Sequence, residues 1–155
     1  MKELKFDSGI REFRVNGGAV LRFNPRDPNV AARFMEATKK LEQIETEFVT
    51  KAEAIRLATE QDGTNGGEIL QLMCDADKKI KESLGWILGE SNDFDAIFGG
   101  CNVMAVADNG ERLVTNFVAA LLPIIEEGAK EIVSQNVENA VNKAKMNRPQ
   151  RRAAK

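Results

Sequence analysis

Residues 88–100 have the sequence Leu-Gly-Glu-Ser-Asn-Asp-Phe-Asp-Ala-Ile-Phe-Gly-Gly and separate two much longer helical patterns. This segment predicts one short helix, because Ser91 or Asn92 can cap its start and aspartates follow where the helix dipole favours negative charge. Gly99 and Gly100 permit the left-handed exit that ends a helix. Three apolar side chains project from one face by their i, i+3, i+4 spacing: Phe94, Ile97 and Phe98. That face either plugs the core of the domain or contacts a partner.

A long helix is predicted from about Pro28 to about Glu60. Asp27 can cap its N-terminus, and proline is favoured at the first helical position. Its apolar side chains follow a near-heptad spacing: Phe34, Leu41, Ile44, Phe48 and Ile55. The remaining faces are charged. This pattern favours an amphipathic helix packed within the chain, with an intermolecular coiled coil as the alternative.

A second long helix is predicted from about Glu68 to Leu88, after a glycine-rich connection at residues 62–67. Its apolar side chains form a stripe of period 3.6: Ile69, Met73, Ala76, Ile80, Leu84, Ile87 and Leu88. Cys74 lies near this stripe and is interpreted as a small buried residue. Trp86 is either a core residue with its N–H toward solvent or an anchor for a partner, and the core is favoured.

The last long helix is predicted from about Glu111 to about Lys145. The apolar connection 101–107 before it is expected to enter the core, and residues 108–111 resemble a helix cap. Pro123 removes one backbone hydrogen bond inside the helix, which predicts a kink or a local break. Gly128 weakens the same region by roughly 1 kcal/mol relative to alanine.

The N-terminal residues 4–23 predict a β-hairpin. Asn16-Gly17-Gly18 is a strong turn signal, because asparagine and glycine tolerate positive φ. Apolar side chains alternate in part before this turn: Leu4, Phe6, Ile10, Phe13 and Val15. A lone hairpin is marginal in water, so it is expected to pack on a helix or to pair with another chain.

These elements together predict a mainly α fold with a small N-terminal hairpin (α+β), three long helices and one short helix. At 155 residues, the chain is expected to form a single helical domain over residues 1–146. A flexible basic tail is expected at residues 147–155. Its basic side chains include Arg148, Arg151, Arg152 and Lys155.

The composition disfavours an enzyme. The chain has no histidine, and its two cysteines, Cys74 and Cys101, lie far apart. Nucleophile–histidine pairs are therefore absent from the sequence, and a zinc site or a disulfide framework is not expected. The sequence predicts no catalytic residue, no cofactor and no metal site. With no signal-peptide pattern and no apolar run long enough for a membrane span, a cytoplasmic location is expected.

The order of motifs in the second half of the chain carries a family resemblance. Leu-Gly-Glu, a polar spacer, aspartates and Ile-Phe-Gly-Gly precede a long helix centred on Leu-Leu-Pro-Ile-Ile, and the chain ends in a basic segment, 143–155. This order resembles the tail assembly chaperones of long-tailed, siphophage-type bacteriophages and prophages, over roughly residues 68–155. The N-terminal half departs from the commoner pattern, since it is long and rich in charged helix.

The resemblance implies a small, helical, non-enzymatic protein of the bacterial host cytoplasm. Such proteins keep the tape-measure protein soluble and help to deliver tail-tube subunits to it. The residues that we expect to contact the tape-measure protein lie on the short helix and on the outer half of the last helix: Phe94, Ile97, Phe98, Ile132, Val133, Val137 and Val141.

Two alternatives stay open at the level of sequence. One is a helical, oligomeric structural protein, which the near-heptad spacing and the lone hairpin both favour. The other is a weak, non-specific nucleic-acid binder that acts through the basic tail. Nucleic acid is the less favoured partner, because no aromatic residues are interleaved with the basic ones.

Overall fold

The computed structural model describes residues 1–62 and 66–153, with side chains described for 1–60 and 66–146. Its elements, in chain order, are β1 (Arg11–Arg14), β2 (Val20–Phe23), α1 (Pro28–Asp62), α2 (Gly66–Leu88), α3 (Phe94–Ile97) and α4 (Leu113–Ala153). The predicted fold class is confirmed, with three long helices, one short helix and a small N-terminal hairpin. Residues 63–65 of the predicted glycine-rich connection lie outside the described residues.

The hairpin is antiparallel and shorter than predicted. Arg11 pairs with Phe23, and Arg14 pairs with Val20. The turn signal is confirmed, since Asn16 has a φ of 48° and the following glycine has a φ of 75°. Residues 4–10 lie outside both strands, because Gly9 takes a left-handed φ of 67° and interrupts the extended backbone.

The core lies where the first half of α1, the second half of α2 and the first half of α4 meet the hairpin and α3. Its buried side chains are Leu21, Phe23, Val30, Phe34, Ala37, Ala76, Ile80, Leu84, Ile87, Leu88, Phe94, Ile97, Val103, Met104, Leu121 and Ile125. Full burial of a large apolar side chain contributes roughly 1.5–3 kcal/mol to stability. The apolar connection before α4 enters this core as predicted, since Val103 and Met104 are buried completely or almost so.

Two residues predicted to be buried on α2 are exposed instead. Cys74 is exposed, next to the half-buried Met73. The ring of Trp86 is 37% exposed and carries two cations above it, with Lys40 Nζ at 4.5 Å and the Arg33 guanidinium at 5.5 Å from the ring centre. The core interpretation of both was wrong: Cys74 points to solvent, and Trp86 lies at the margin of the contact between α1 and α2, where Lys40 and Arg33 of α1 cover its ring in place of core side chains.

The start of α4 differs from the predicted cap. Residues 106–112 form a tight reversal in which Val106 bridges Arg112 and the Ala107 N–H donates to the Glu111 carbonyl. Asn109 Oδ1 accepts the Glu111 N–H at 3.0 Å. Glu111 therefore belongs to this turn, and the helix begins after it.

The body of α4 is one continuous helix. It passes through Pro123 without a break and ends at Ala153, beyond the predicted end at Lys145. The side chains of the predicted basic tail, 147–155, lie outside the described part of the chain. Its flexibility stays a prediction.

Gly128 has a packing role that the helical pattern does not indicate. A Cβ built at this position would lie 1.9 Å from the Pro25 carbonyl oxygen. Alanine therefore cannot occupy it without a shift of backbone. Arg26 Nε also lies 3.7 Å from a Glu131 carboxylate oxygen in the same contact. The glycine lets the turn between β2 and α1 pack directly against α4.

Candidate partner-binding surface

The short helix α3 has the predicted exit and a different cap. Asp93 is the N-cap, and its side chain accepts the Ala96 N–H at 3.1 Å. The predicted caps, Ser91 and Asn92, precede it. At the exit, Gly99 takes a left-handed conformation with a φ of 62°, and its N–H donates to the Ala96 carbonyl.

Asn92 does not cap α3, because its side chain bonds to the hairpin. Its Oδ1 accepts the Arg22 N–H at 2.8 Å, and its Nδ2 donates to the Arg22 carbonyl at 2.9 Å. The same Nδ2 also lies within hydrogen-bonding distance of the carbonyls of Leu88 and Gly89. One amide therefore connects β2 with the end of α2. The sequence shows an asparagine in a turn and carries no signal for this distant partner.

The apolar face of α3 packs into the domain. Phe94 and Ile97 are each only 5% exposed and belong to the core. The Phe94 ring meets Phe117 edge to face at 6.4 Å between ring centres, and the Phe98 ring lies 4.9 Å from the same ring. Of the three residues of the α3 face that were proposed for partner contact, Phe98 alone is half-buried rather than buried.

Phe98 borders a groove between the hairpin, α3 and the start of α4. The groove has a volume of about 450 Å³. Its apolar lining includes Val15, Ala19, Ile97, Phe98, Leu113 and Phe117. An apolar side chain of a partner can be accommodated there without displacement of the core.

A charged cluster fixes α3 and the following connection on α2. Lys81 Nζ donates to Asp95 at 2.7 Å, to Asp77 at 3.0 Å and to the Cys101 carbonyl at 3.2 Å. Asp77 Oδ1 in turn accepts the Val103 N–H at 2.8 Å. Asp77 is therefore a structural clamp rather than the solvated carboxylate that its helical context predicts.

The pKa of Lys81 reflects this cluster. Burial opposes the charged form, but the hydrogen bonds and charges of Asp95 and Asp77 outweigh it, so that the pKa of Lys81 lies above its ordinary value of 10.5. The side chain is only 13% exposed. The cluster is a charged, fully hydrogen-bonded support for α3.

The outer half of α4 presents an apolar stripe to solvent. Ile132 is half-buried, and beyond it every described side chain of α4, to residue 146, is exposed. Val133, Val137 and Val141 are 64%, 58% and 45% exposed, at successive i+4 positions that share one face. Residues 133–146 make up about 21 Å of helix at 1.5 Å per residue. We call the four apolar residues Ile132, Val133, Val137 and Val141 the α4 stripe.

Exposed apolar side chains also occur on the outer part of α1 and at the start of α2. Val49, Leu57 and Leu70 are each more than half exposed. The heptad pattern did not identify them, because none of the three falls on the predicted apolar stripes. Their exposure is visible only once the facing sides of the two helices are known.

The structure does not bring all predicted contact residues together. Val133 follows Phe117, the ring on which α3 packs, by about 24 Å of helix. The α3 face and the α4 stripe are therefore separate surfaces. The basic residues Arg148, Arg151, Arg152 and Lys155 lie outside the described side chains.

Comparison of the chain with protein-family models, with curated proteins and with solved structures gave no match. Across the described residues, no helix has both the length and the apolar character needed to cross a bilayer.

Proposed function

We propose that this chain is a non-enzymatic tail assembly chaperone of a long-tailed bacteriophage or prophage. In this role it binds the tape-measure protein in the host cytoplasm, keeps it soluble and helps to recruit tail-tube subunits. The observation that carries the proposal is the α4 stripe, whose three valines are 64%, 58% and 45% exposed on the part of α4 that extends past the core. The resemblance of residues 68–155 to these chaperones supplies the identity of the partner.

The α4 stripe suits an amphipathic helix as its ligand. A helix laid along it contacts side chains at i, i+4 and i+8, which is the spacing of a helix–helix interface. Each valine that becomes fully buried contributes roughly 1.5–3 kcal/mol before the costs of association. The contact would cover the apolar faces of an unassembled tape-measure protein until tube subunits replace the chaperone.

The charges beside the stripe give the interaction a direction. Three glutamates and one lysine precede Val133, at Glu126, Glu127, Lys130 and Glu131, and Arg26 Nε lies 3.7 Å from Glu131. Glu138 lies within the stripe, and Lys143 and Lys145 follow Val141, so that the helix itself is net acidic before the stripe and basic after it. A partner helix with basic residues at one end and acidic residues at the other complements this arrangement in one orientation. Charge complementarity of this kind governs register and association rate more than affinity.

The test is co-expression of this chain with the tape-measure protein encoded beside it. The wild type is expected to recover that protein in a soluble complex. The triple variant Val133→Ser/Val137→Ser/Val141→Ser is expected to stay folded and to leave the tape-measure protein in the pellet. The variant Met35→Ser/Val106→Ser is the matched control, because both residues are at least 63% exposed and lie away from the stripe.

Two results would contradict the proposal. One is a tape-measure protein that stays insoluble beside the wild type. The other is a triple variant that recovers the complex as well as the control does. In the second case the partner would be bound elsewhere, and the function would lose its structural support.

A further inference from the structure

The outer edge of β1 is open. The Val15 N–H donates to the Ala19 carbonyl at 2.9 Å, which fixes the alternation of bonded and non-bonded pairs in the hairpin. Glu12 and Arg14 consequently direct their main-chain N–H and C=O groups away from β2. No described residue forms a hydrogen bond with these four groups.

The opposite edge of the hairpin is capped at its centre. On β2, the outward N–H and C=O groups of Arg22 are both bonded to the side chain of Asn92. The side chain of Asn92 thus occupies the position at which a further strand would pair with Arg22, whereas no described residue occupies the corresponding position along β1. An open strand edge is a template for a further strand.

An apolar arm precedes this open edge. Leu4 and Phe6 are 85% and 77% exposed, alternate as in a strand and belong neither to the core nor to the partly buried side chains packed against it. The base of the arm is held in place, because Asn24 Nδ2 donates to the Ser8 carbonyl at 3.1 Å and Gly9 fits closely against Asn24. The arm, residues 1–8, is thus directed from a fixed point while its two large side chains lack intramolecular cover.

We propose that β1 and the arm form an interface with a second copy of this chain. In it, the two β1 strands pair antiparallel about a two-fold axis at Phe13. The groove between hairpin, α3 and α4 of each copy then receives apolar side chains from the arm of the other. The interface is closed by symmetry and produces a dimer.

Charge complementarity selects this register. With Phe13 opposite Phe13 of the second copy, Glu12 lies opposite the second copy's Arg14, and Arg14 lies opposite its Glu12. The outward main-chain groups of these residues then form the bonded pairs. A shift that centres the axis on Glu12 or on Arg14 would place like charges opposite each other, which destabilises a strand pair.

The same register brings the arm to the groove. It places Ile10 of one copy beside Asn16 of the other, at the hairpin turn. That turn forms one wall of the groove, through Val15, Asn16 and Ala19. A pair of four-residue strands buries too little surface for a stable dimer. The two arms supply the additional apolar area. Leu4 and Phe6 match the apolar lining of the groove.

The experiment uses the full chain alone, so its outcome does not depend on the proposed chaperone function. Sedimentation velocity of the wild type is expected to show a dimer. Glu12→Arg and Arg14→Glu each place like charges at both pairs, and each is expected to weaken the dimer about tenfold or more. An equimolar mixture of these two variants restores opposite charges at both positions and is expected to recover the dimer as a mixed species.

Controls separate the interface from effects within one chain. Within one chain, Arg22 Nε forms an ion pair with Glu12 at 2.7 Å, which Glu12→Arg also removes. Arg22→Glu removes this ion pair but leaves the residues of the β1 edge unchanged. It is expected to keep the dimer. For the arm, Leu4→Ser/Phe6→Ser is expected to weaken the dimer, whereas Leu57→Ser/Leu70→Ser, also exposed, is not.

All these side chains are exposed, and circular dichroism checks that each variant stays folded. A wild type that sediments as a monomer up to about 100 μM would overturn the proposal. So would a dimer that charge reversal leaves unchanged, or two weakened variants whose mixture fails to recover it. A dimer lost equally in the Arg22→Glu control would also contradict the assigned edge.

Discussion

Single residues decide how closely the elements of this chain approach one another. At Gly128 the backbone of α4 touches the turn between β2 and α1, with no room for a Cβ beside the Pro25 carbonyl. At Asn92 one side chain bonds both outward main-chain groups of Arg22 on β2 and holds the end of α2. Neither residue is apolar, yet both determine where the hairpin sits on the helices.

The first prediction concerns Gly128→Ala. In an exposed helix this change stabilises by up to about 1 kcal/mol, because alanine has the higher helix propensity. Here we expect a net loss of about 1–3 kcal/mol, since the new methyl group must displace the Pro25 backbone. Urea unfolding measures the free energy of unfolding.

Gly67→Ala is the matched control for that experiment. It is also a helical glycine, and no described atom lies within 4 Å of a Cβ built there. This control is expected to be neutral or slightly stabilising. Equal effects of the two substitutions would contradict the close approach at Gly128.

The elements are joined by polar contacts in addition to apolar packing. The Lys81 cluster links α2 to α3 through Asp95 and to the connection before α4 through the Cys101 carbonyl. On the other side of the domain, Arg112 Nε bonds to Glu45 at 3.1 Å and Arg112 Nη1 donates to the Met104 carbonyl at 3.0 Å. A four-residue helix such as α3 depends on such contacts, because isolated short helices are unstable.

The second prediction concerns the pH dependence of this clamp. The folded-state pKa of Lys81 lies above the unfolded value of 10.5. The stabilisation is therefore fully present below about pH 10.5 and is lost as the pH rises through the folded-state pKa. We expect Lys81→Met to lower stability at pH 7 by about 1–3 kcal/mol, because two carboxylates lose a charged partner.

Chemical unfolding at pH 7 and at about pH 11 measures both effects. The loss of stability between the two pH values is expected to be smaller in Lys81→Met than in the wild type. Lys79→Met, with an exposed side chain on the same helix, is the control. If the stability of Lys81→Met fell between these pH values as much as that of the wild type, the Lys81 cluster would not contribute to the pH dependence.

At the scale of the whole molecule, the chain has a compact end and an outlying end. Burial is concentrated where α1, α2, α3 and α4 meet the hairpin. The outer half of α4 continues past that core with every described side chain from residue 133 to residue 146 exposed. The core contributes no packing to the apolar face of this part of the helix, and that exposed face is the physical basis of the proposed function.

The third prediction follows from this division. A chain that ends at Ile132 is expected to keep its fold, with the free energy of unfolding changed by less than about 0.5 kcal/mol, because no described side chain removed is buried. It is expected to lose the tape-measure complex. Thermal unfolding followed by circular dichroism measures the first effect, and co-expression measures the second.

A chain that ends at Leu122 is the contrasting truncation. It removes Ile125, which is only 4% exposed, and the contact of Gly128 with Pro25. This chain is expected to unfold. If truncation at Ile132 unfolded the domain as well, the outer half of α4 would belong to the core rather than to a binding surface.

The elements themselves could be predicted from the sequence because their signals are local. Asp27-Pro28 marks the start of α1, Asn16-Gly17 fixes the hairpin turn, and glycines end α3, each through backbone preferences that act within a few residues. The exposed valines of the α4 stripe also lie at positions that the sequence identified. What periodicity cannot say is which apolar stripe is covered.

The tertiary structure decided which apolar side chains are buried and which are exposed, because burial depends on which elements meet. Phe94 and Ile97 belong to the core, Trp86 lies outside the core beneath two cations of α1, and the apolar arm before β1 has no intramolecular cover. The sequence by itself determined the helices, the turn and the apolar faces, since these follow from local periodicity. Contacts between residues distant in the chain, such as Asn92 with Arg22, exist only where packing brings two backbones together.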